Sequence, residues 1–166
     1  MILRAATSNC ADSNWLAALY FVPDEHDEEG QEREALVRRF ERKHGAALLI
    51  SHVTWLECRN VFRRLAQEDS PTALRALEAD FGRRVFVDPM NWDLLRRDCE
   101  GLFQRYAAKL ELGTFDCAIV ASAKLAGARR FLSFDQKAKA LAVAEDFEVY
   151  PPLNAVGREW LARLRG

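Results

Sequence analysis

The chain has 166 residues, of which 49% are hydrophobic and 30% charged, and its formal net charge at pH 7 is −1. This length and composition predict one globular domain with a sizeable buried core. They exclude a helical membrane protein, because no apolar run reaches about 18 residues, and they argue against a general nucleic-acid coat protein, which would be strongly basic. Because the N-terminus does not read as a secretory signal, we expect a cytoplasmic protein.

The cysteines are spread along the chain at Cys10, Cys58, Cys99 and Cys117. No pair has the Cys-x-x-Cys spacing, and no histidine pair accompanies them, so neither a zinc site nor a disulfide framework is indicated. We expect buried, reduced thiols. The basic residues comprise 19 Arg against 5 Lys. Arginine binds phosphate bidentately and stacks on bases, which favours RNA contact, although a GC-rich coding sequence produces the same excess.

Strand-like and helix-like patterns alternate along the chain. Strands are predicted at residues 1–11, 46–51, 84–87, 130–133 and 147–150. Helices are predicted at residues 15–21, 31–43, 53–68, 71–82, 91–109, 115–126 and 136–144, with a C-terminal helix at about 155–165. This alternation indicates an α/β fold in which helices cover both faces of a parallel sheet. We expect residues 1–166 to form a single domain, with the C-terminal helix as an appendage.

Four acidic residues lie where a predicted strand turns into a helix or where a helix begins: Asp12, Glu57, Asp116 and Asp135. The carboxyl ends of parallel strands form one edge of the sheet, where ligands usually bind. Carboxylates gathered there repel each other unless a divalent cation neutralises them, and oxygen ligands suit Mg²⁺ or Mn²⁺ better than Zn²⁺. The pattern predicts an acidic metal site for phosphodiester chemistry.

Each of these acids also has a purely structural explanation. Asp12 is a favoured N-cap residue, Asp116 suits the positive end of a helix dipole, and Asp135 is typical of a turn. Glu57 lies on the helical face next to the predicted apolar stripe and shares that face with Asn60 and Arg64, so a solvated face explains it as well. The predicted stripe consists of Trp55, Cys58, Val61, Phe62 and Leu65.

The order of the motifs along the chain distinguishes a metal site from purely structural roles better than any single motif does. The motifs are Asp12-Ser13-Asn14, Glu57-x-x-Asn60, Asp116 at the start of an alanine-rich helix, and Ser133-x-Asp135. This series resembles the PIN-domain ribonucleases and, among them, the VapC-type toxins of type II toxin–antitoxin pairs. The resemblance extends over residues 8–150 and is best at residues 115–135.

The resemblance implies a three-layer α/β/α sandwich with a parallel sheet of strand order 3-2-1-4-5. It implies Mg²⁺- or Mn²⁺-dependent cleavage of single-stranded or loop RNA, with Asp12, Glu57, Asp116 and Asp135 as catalytic and metal-binding acids. Supporting polar residues would be Ser13, Asn14, Asn60 and Ser133. A cognate antitoxin and a homodimer, with apolar residues of the helices at 53–81 as its surface, are the implied partners.

The expected chemistry is attack by a metal-activated water on the phosphodiester, in line with the leaving 3′ oxygen. The products would carry a 5′-phosphate and a 3′-hydroxyl. His26 in an acidic loop, His44 at a helix end and His52 at a helix start are not placed to act as a general base.

On the helix of Glu57, Arg59, Arg63 and Arg64 are predicted to contact RNA phosphates.

Three other functions are compatible with parts of this pattern. A haloacid-dehalogenase-like phosphatase also begins with an acid at a strand end but needs a second acid two residues later, where this chain has Asn14. The fold without turnover would be an RNA- or partner-binding module, and the presence of all four acids argues against it. A nuclease of RNA maturation or decay would keep the same site, and a small antitoxin gene directly upstream would distinguish the toxin from it.

Overall fold

The computed structural model describes residues 8–65 and 69–166. Its strands are β1 (Asn9–Ala11), β2 (Leu48–Ser51), β3 (Val85–Asp88), β4 (Arg130–Leu132) and β5 (Glu148–Tyr150). Its helices are α1 (Ser13–Tyr20), α2 (Glu28–His44), α3 (His52–Leu65), α4 (Ser70–Ala79), α5 (Trp92–Tyr106), α6 (Thr114–Leu125), α7 (Gln136–Ala144) and α8 (Ala155–Arg165).

The five strands form one parallel sheet in the order β3-β2-β1-β4-β5, which confirms the predicted fold class and strand order. In the centre, Cys10 of β1 is in register with Leu49 of β2 and with Phe131 of β4. One core cluster joins α1–α4 to the sheet, and a second joins α5–α8 to it. The chain reverses its direction of winding at β1, so the carboxyl end of this strand lies at the point where ligands bind in such folds.

The central strand is short and unusually polar, yet all of its residues are buried. The side-chain oxygen of Asn9 has no hydrogen-bond partner among the residues that the structure describes. Most of the predicted first strand, residues 1–7, lies outside the described residues, as do residues 66–68 of the predicted helix at 53–68.

The observed element bounds differ from the predicted ones mainly at helix ends. The helix predicted to reach residue 109 ends at Tyr106, where turns follow. Within α3, Cys58 and Phe62 are fully buried, but Leu65 is 62% exposed, so its assignment to the core stripe was wrong. Leu65 is on the last turn of the helix, where it borders an open groove with Phe21 and Val61 instead of the sheet.

The prediction of buried thiols holds for three of the four cysteines. Cys10, Cys58 and Cys117 are buried, Cys99 is half-buried, and all four are free thiols. Burial raises the pKa of the Cys117 thiol to about 11, which keeps it in the unreactive thiol form. In the described parts of the chain, no helix is both long enough and apolar enough to cross a membrane.

Helix α8 is held against α7 by contacts near its first turn. The backbone N–H of Asn154 donates to Oε1 of Gln136 (3.1 Å), and Oδ1 of Asn154 accepts from the N–H of Gly157 (2.9 Å). A Cβ at Gly157 would lie 2.6 Å from Oε1 of Gln136, so a larger residue there would displace the Gln136 side chain. Before α8, the buried Lys139 ammonium donates to the carbonyl of Pro151 (3.0 Å). These contacts set the position of α8 beside the carboxyl edge of the sheet.

Candidate functional site

The four predicted acids all follow or flank the carboxyl edge of the sheet. Asp12 is the N-cap of α1 directly after β1, and Asp135 is the N-cap of α7 just after β4. Glu57 lies in the middle of α3, and Asp116 in the first turn of α6. The structural roles considered for Asp12 and Asp116 are therefore real. They do not compete with a shared site, because helices that begin at one sheet edge bring their first turns together.

Asp12 is 3% exposed, and three hydrogen-bond donors hold its carboxylate in place. Its Oδ1 accepts from the backbone N–H of Ser13 (2.7 Å). Its Oδ2 accepts from Oγ of Ser133 (2.8 Å) and from Nδ2 of Asn14 (3.2 Å). A carboxylate buried this deeply needs such donors to remain charged. The contacts fix Asp12 between the ends of β1 and β4.

Ser13 links the first acid to the second. Its hydroxyl donates to Oε2 of Glu57 at 2.5 Å and lies 3.5 Å from Oδ1 of Asp12. Since 44 residues separate Ser13 from Glu57, this contact joins the start of α1 to α3. Ser13 thereby determines where the Glu57 carboxylate lies relative to Asp12.

Asn14 and Ser133 join the first acid to the fourth. Oδ1 of Asn14 accepts from the backbone N–H of Phe134 (2.9 Å) and lies 3.3 Å from the Ser133 hydroxyl. Oγ of Ser133 also accepts from the N–H of Asp135 (3.0 Å). The side chain of Asp135 then accepts from two backbone amides of α7. The predicted supporting residues Ser13, Asn14 and Ser133 thus form one hydrogen-bonded network.

The electrostatics show that the acids act on one another. Burial, and after it the charges of Glu57 and Asp116, raise the pKa of Asp12 to about 7, against the lowering effect of the donors Ser133 and Ser13. Burial likewise raises the pKa of Asp116 to about 6, with added repulsion from Asp135 and Glu57. The backbone N–H of Gly113 and the charge of Lys137 work in the opposite direction on Asp116. Excess negative charge is therefore concentrated at this edge of the sheet.

The donors at this edge fit a hard divalent cation by their chemistry. All four predicted ligands are carboxylates, and mutual repulsion that raises carboxylate pKa values is relieved by a bound cation. Across residues 8–65 and 69–166, however, no three His, Cys, Asp or Glu side chains already surround a common metal position. The carboxylates would have to turn toward one another when a cation binds, and exposed Asp135 and half-buried Glu57 have the room to do so.

A cavity of about 660 Å³ opens beside this edge. Glu111, Asp116 and Asp135 line its acidic side, next to Asn14. Its remaining lining includes Arg33, Lys137, Phe134 and Trp160, none of which the sequence analysis selected. The signals were weak: Arg33 is one charge in a highly charged helix, and Trp160 lies in the helix predicted to be an appendage. Of these residues, Lys137 was the easiest to predict from the sequence, because it lies two residues after Asp135.

The remaining predicted residues lie apart from this network. Arg59 is 3.5 Å from Glu78 of α4, and its guanidinium lies over the Trp55 ring at 4.9 Å. Asn60, Arg63 and Arg64 are exposed on α3. The described residues include no hydrogen bond from Asn60 to the acids, so its supporting role remains a prediction. The predicted RNA contacts of the three arginines are likewise untested.

The histidines lie where the sequence analysis expected them. His26 is in the exposed loop before α2, His44 is the last residue of α2, and His52 is the first residue of α3.

Ser133→Ala is expected to destabilise the protein by about 1–3 kcal/mol at pH 8, because it removes one of the donors to buried Asp12 and leaves the Asp135 amide without its Ser133 acceptor. Urea unfolding in EDTA measures the loss. Ser122→Ala is the matched control, since Ser122 is also buried but donates to the Ala118 carbonyl of its own helix (2.7 Å), a bond worth little. Equal losses in the two variants would contradict the assigned network.

Comparison with known proteins yields a family and a fold. The family model for the PIN domain matches residues 10–144, which is most of the chain. The structure is similar to the crystal structure of VapC20 from Mycobacterium tuberculosis, a toxin that cleaves the sarcin-ricin loop. The TM-score is 0.62 and the sequences are 19% identical, over 80% of this chain and 94% of the toxin. At this identity the likeness concerns the fold. No curated protein sequence matches the chain.

Proposed function

The chain belongs to the PIN-domain family, and from this premise we propose that it is a Mg²⁺- or Mn²⁺-dependent endoribonuclease. Asp12, Glu57, Asp116 and Asp135 would bind the metal and carry the reaction. The observation that supports this most is the grouping of buried carboxylates at the sheet edge, where burial and then the charges of neighbouring acids raise the pKa of Asp12 to about 7 and that of Asp116 to about 6. A structural cap does not require other carboxylates nearby, whereas a cation site does.

The surroundings of each acid indicate its role at the metal site. Asp12, buried and held by Ser13, Asn14 and Ser133, would be the fixed ligand. Glu57 is steered by the Ser13 hydroxyl, and Asp116 lines the open cavity from which RNA would approach. When bound, the metal would supply an activated water and stabilise charge on the scissile phosphate. Both raised pKa values mean that protons must leave Asp12 and Asp116 before they bind a cation, so we expect cleavage to rise with pH from about 6 to 8.

The ends of the RNA products test this proposal directly. Purified protein incubated with RNA should generate 5′-phosphate and 3′-hydroxyl ends with Mg²⁺ or Mn²⁺ and should be inactive in EDTA. Ligation and phosphatase sensitivity of the fragments identify the ends. Activity that persists in EDTA with 2′,3′-cyclic phosphate ends would indicate a metal-independent mechanism and would overturn the proposal.

We further propose that the biological role is that of a toxin with a cognate antitoxin, acting in the cytoplasm on cellular RNA. Support comes from the likeness of fold to a toxin that cleaves the sarcin-ricin loop. A small antitoxin gene directly upstream, and growth arrest that its product relieves, would be the expected findings. A nuclease of RNA maturation or decay would show neither.

The antitoxin is expected to compete with the metal. An Arg or Lys from its C-terminal segment, directed at Asp12 and Asp116, would neutralise the same carboxylates that bind the cation. Saturating antitoxin should therefore lower the affinity for Mn²⁺, as measured by calorimetry at fixed ionic strength. An unchanged affinity for Mn²⁺ would rule out this mode of inhibition.

A homodimer is the expected assembly, with α3 and α4 at its surface. Leu56 and Leu65 of α3 are 53% and 62% exposed, so their apolar side chains are open to contact with a second subunit. Light scattering at micromolar concentration should give twice the 18.9 kDa of the chain, and Leu56→Asp with Leu65→Asp should return the mass to that of a monomer. A monomeric wild type would contradict this assembly.

A further inference from the structure

One wall of the cavity beside the acids is built from cations and aromatic rings. Trp160 of α8 is half-buried there, and the Lys137 ammonium lies 5.5 Å from the centroid of its ring. Arg33 of α2 lies over the Phe134 ring at 5.3 Å. Trp160 falls outside the part of the chain that the PIN-domain model matches, residues 10–144. The acids that line this cavity lie within the matched part, and they therefore share the cavity with a helix that lies outside it.

The two rings are not equally available to a ligand. Phe134 is stacked on Trp15, with ring centroids 5.3 Å apart and planes at 17°, and Arg33 also lies over it. Trp160 packs in part against the core of α5–α8, and Asn154 at the start of its helix contacts Gln136. This packing orients the indole at the cavity, where the flexible end of Lys137 lies over the ring. A base can therefore stack on the indole when that ammonium moves to a phosphate.

Lys137 and Arg33 lie beside the acids, where they can bind an RNA phosphate. Lys137 is near enough to Asp116 to lower its pKa, and it lines the same cavity as Asp116 and Asp135. RNA approaching a cluster of carboxylates is repelled, and a fixed ammonium and guanidinium beside that cluster offset the repulsion. Arg33 also pairs with exposed Glu29, a contact that RNA phosphate can replace at little cost.

We propose that Trp160, Lys137 and Arg33 form a nucleotide subsite adjacent to the scissile phosphodiester. The unpaired base stacks on the Trp160 indole, and Lys137 and Arg33 bind the neighbouring phosphate. The subsite rests on the proposed nuclease function for its biological use. Because every base has a π-face, stacking selects an unstacked nucleotide, as in a loop or single strand, and not a particular base.

Binding of RNA without metal tests the subsite separately from cleavage. The probe is a labelled single-stranded RNA of about ten nucleotides, measured by fluorescence anisotropy in EDTA. A second probe of equal length has abasic residues, which keep the phosphates and remove the bases. Trp160→Ala should weaken RNA binding about 5- to 160-fold, the range for loss of one base–aromatic stack, and should leave abasic binding unchanged. Lys137→Ala should weaken both probes.

Trp92→Ala is the matched control, because Trp92 is 66% exposed on α5 and does not line the cavity. It should bind both probes as wild type does. If Trp160→Ala fails to fold, Trp160→Phe still tests the proposal: RNA must quench wild-type tryptophan fluorescence, the abasic probe must not, and Trp160→Phe must lose the quenching.

Three results would overturn the subsite: wild-type protein that binds no single-stranded RNA, Trp160→Ala that binds RNA as tightly as wild type, or a loss equal for RNA and the abasic probe. RNA binding that depends on Trp160 in a protein that never cleaves RNA would have a different meaning. It would support the subsite and overturn the nuclease, so the two failures are distinguishable.

Discussion

Asp116→Asn is expected to reduce metal-dependent RNA cleavage by at least about a hundredfold, since loss of even an outer partner of a metal ligand costs about 10- to 100-fold. The amide keeps the shape of the side chain but removes one unit of negative charge from the sheet edge. Growth toxicity should disappear in parallel. Cleavage of RNA in Mg²⁺, followed on gels over time, measures the loss.

The chain offers a matched control for this substitution. Asp93 is also an aspartate in the first turn of a helix, α5, but its side chain is 93% exposed. Asp93→Asn removes the same charge and the same helix-dipole interaction without touching the sheet edge. It should cleave RNA at the wild-type rate. Wild-type cleavage by Asp116→Asn would instead show that the site is assigned wrongly.

The second large effect concerns stability and needs no substrate. In EDTA the acids at the sheet edge repel one another, and Asp116→Asn should melt at a higher temperature than wild type. Metal that binds only the folded protein adds about 2.7 kcal/mol when its free concentration is 100 times its dissociation constant. For a domain of this size that corresponds to roughly 5–10 °C in Tm. Wild type should gain this from Mn²⁺, and Asp116→Asn should gain little.

Asp12→Asn should also raise the melting temperature in EDTA, but by less than Asp116→Asn does. Oδ2 of Asp12 accepts from Ser133 and Asn14, and an amide nitrogen in that place would face donors. Repulsion relieved at this position is therefore offset in part by lost hydrogen bonds. If both acids were ordinary structural caps, both variants would melt lower by about 0.5–2 kcal/mol with or without metal. That outcome, together with a wild-type melting temperature that Mn²⁺ does not change, would refute the metal site.

The pH dependence of this effect has a definite sign. The pKa of Asp12 rises from 3.8 to about 7 on folding, and that of Asp116 from 3.8 to about 6. Between pH 4 and 7 the folded protein thus binds more protons than the unfolded chain, so stability in EDTA should fall as pH rises. Asp116→Asn should flatten the fall between pH 4 and 6. Other titrating groups contribute to both proteins, so the difference between their Tm curves isolates Asp116.

Much of this protein is determined locally and can be predicted from the sequence. Hydrophobic periodicity predicts the helices to within a few residues, because apolar residues at helical spacing mark the face that packs against the core. The alternation of strands and helices restricts the sheet to a parallel one, since parallel strands need crossovers. The order 3-2-1-4-5 came from family resemblance, carried by Asp12, Glu57, Asp116 and Asp135. Leu65 shows the limit of periodicity: the pattern continues to the helix end, although the sheet beneath it does not.

Only the tertiary structure decided how the acids are supported and what faces them. The Ser13–Glu57 contact joins residues 44 positions apart, and the Ser133–Asp12 contact joins residues 121 positions apart. The cavity brings Arg33, Lys137 and Trp160 together from α2, α7 and α8. Local patterns carry no record of such pairings, because a side chain's propensity depends on its neighbours in sequence while its pKa and its ligands depend on its neighbours in space. The sequence thus supplied the chemical groups, and packing decided which of them share one site.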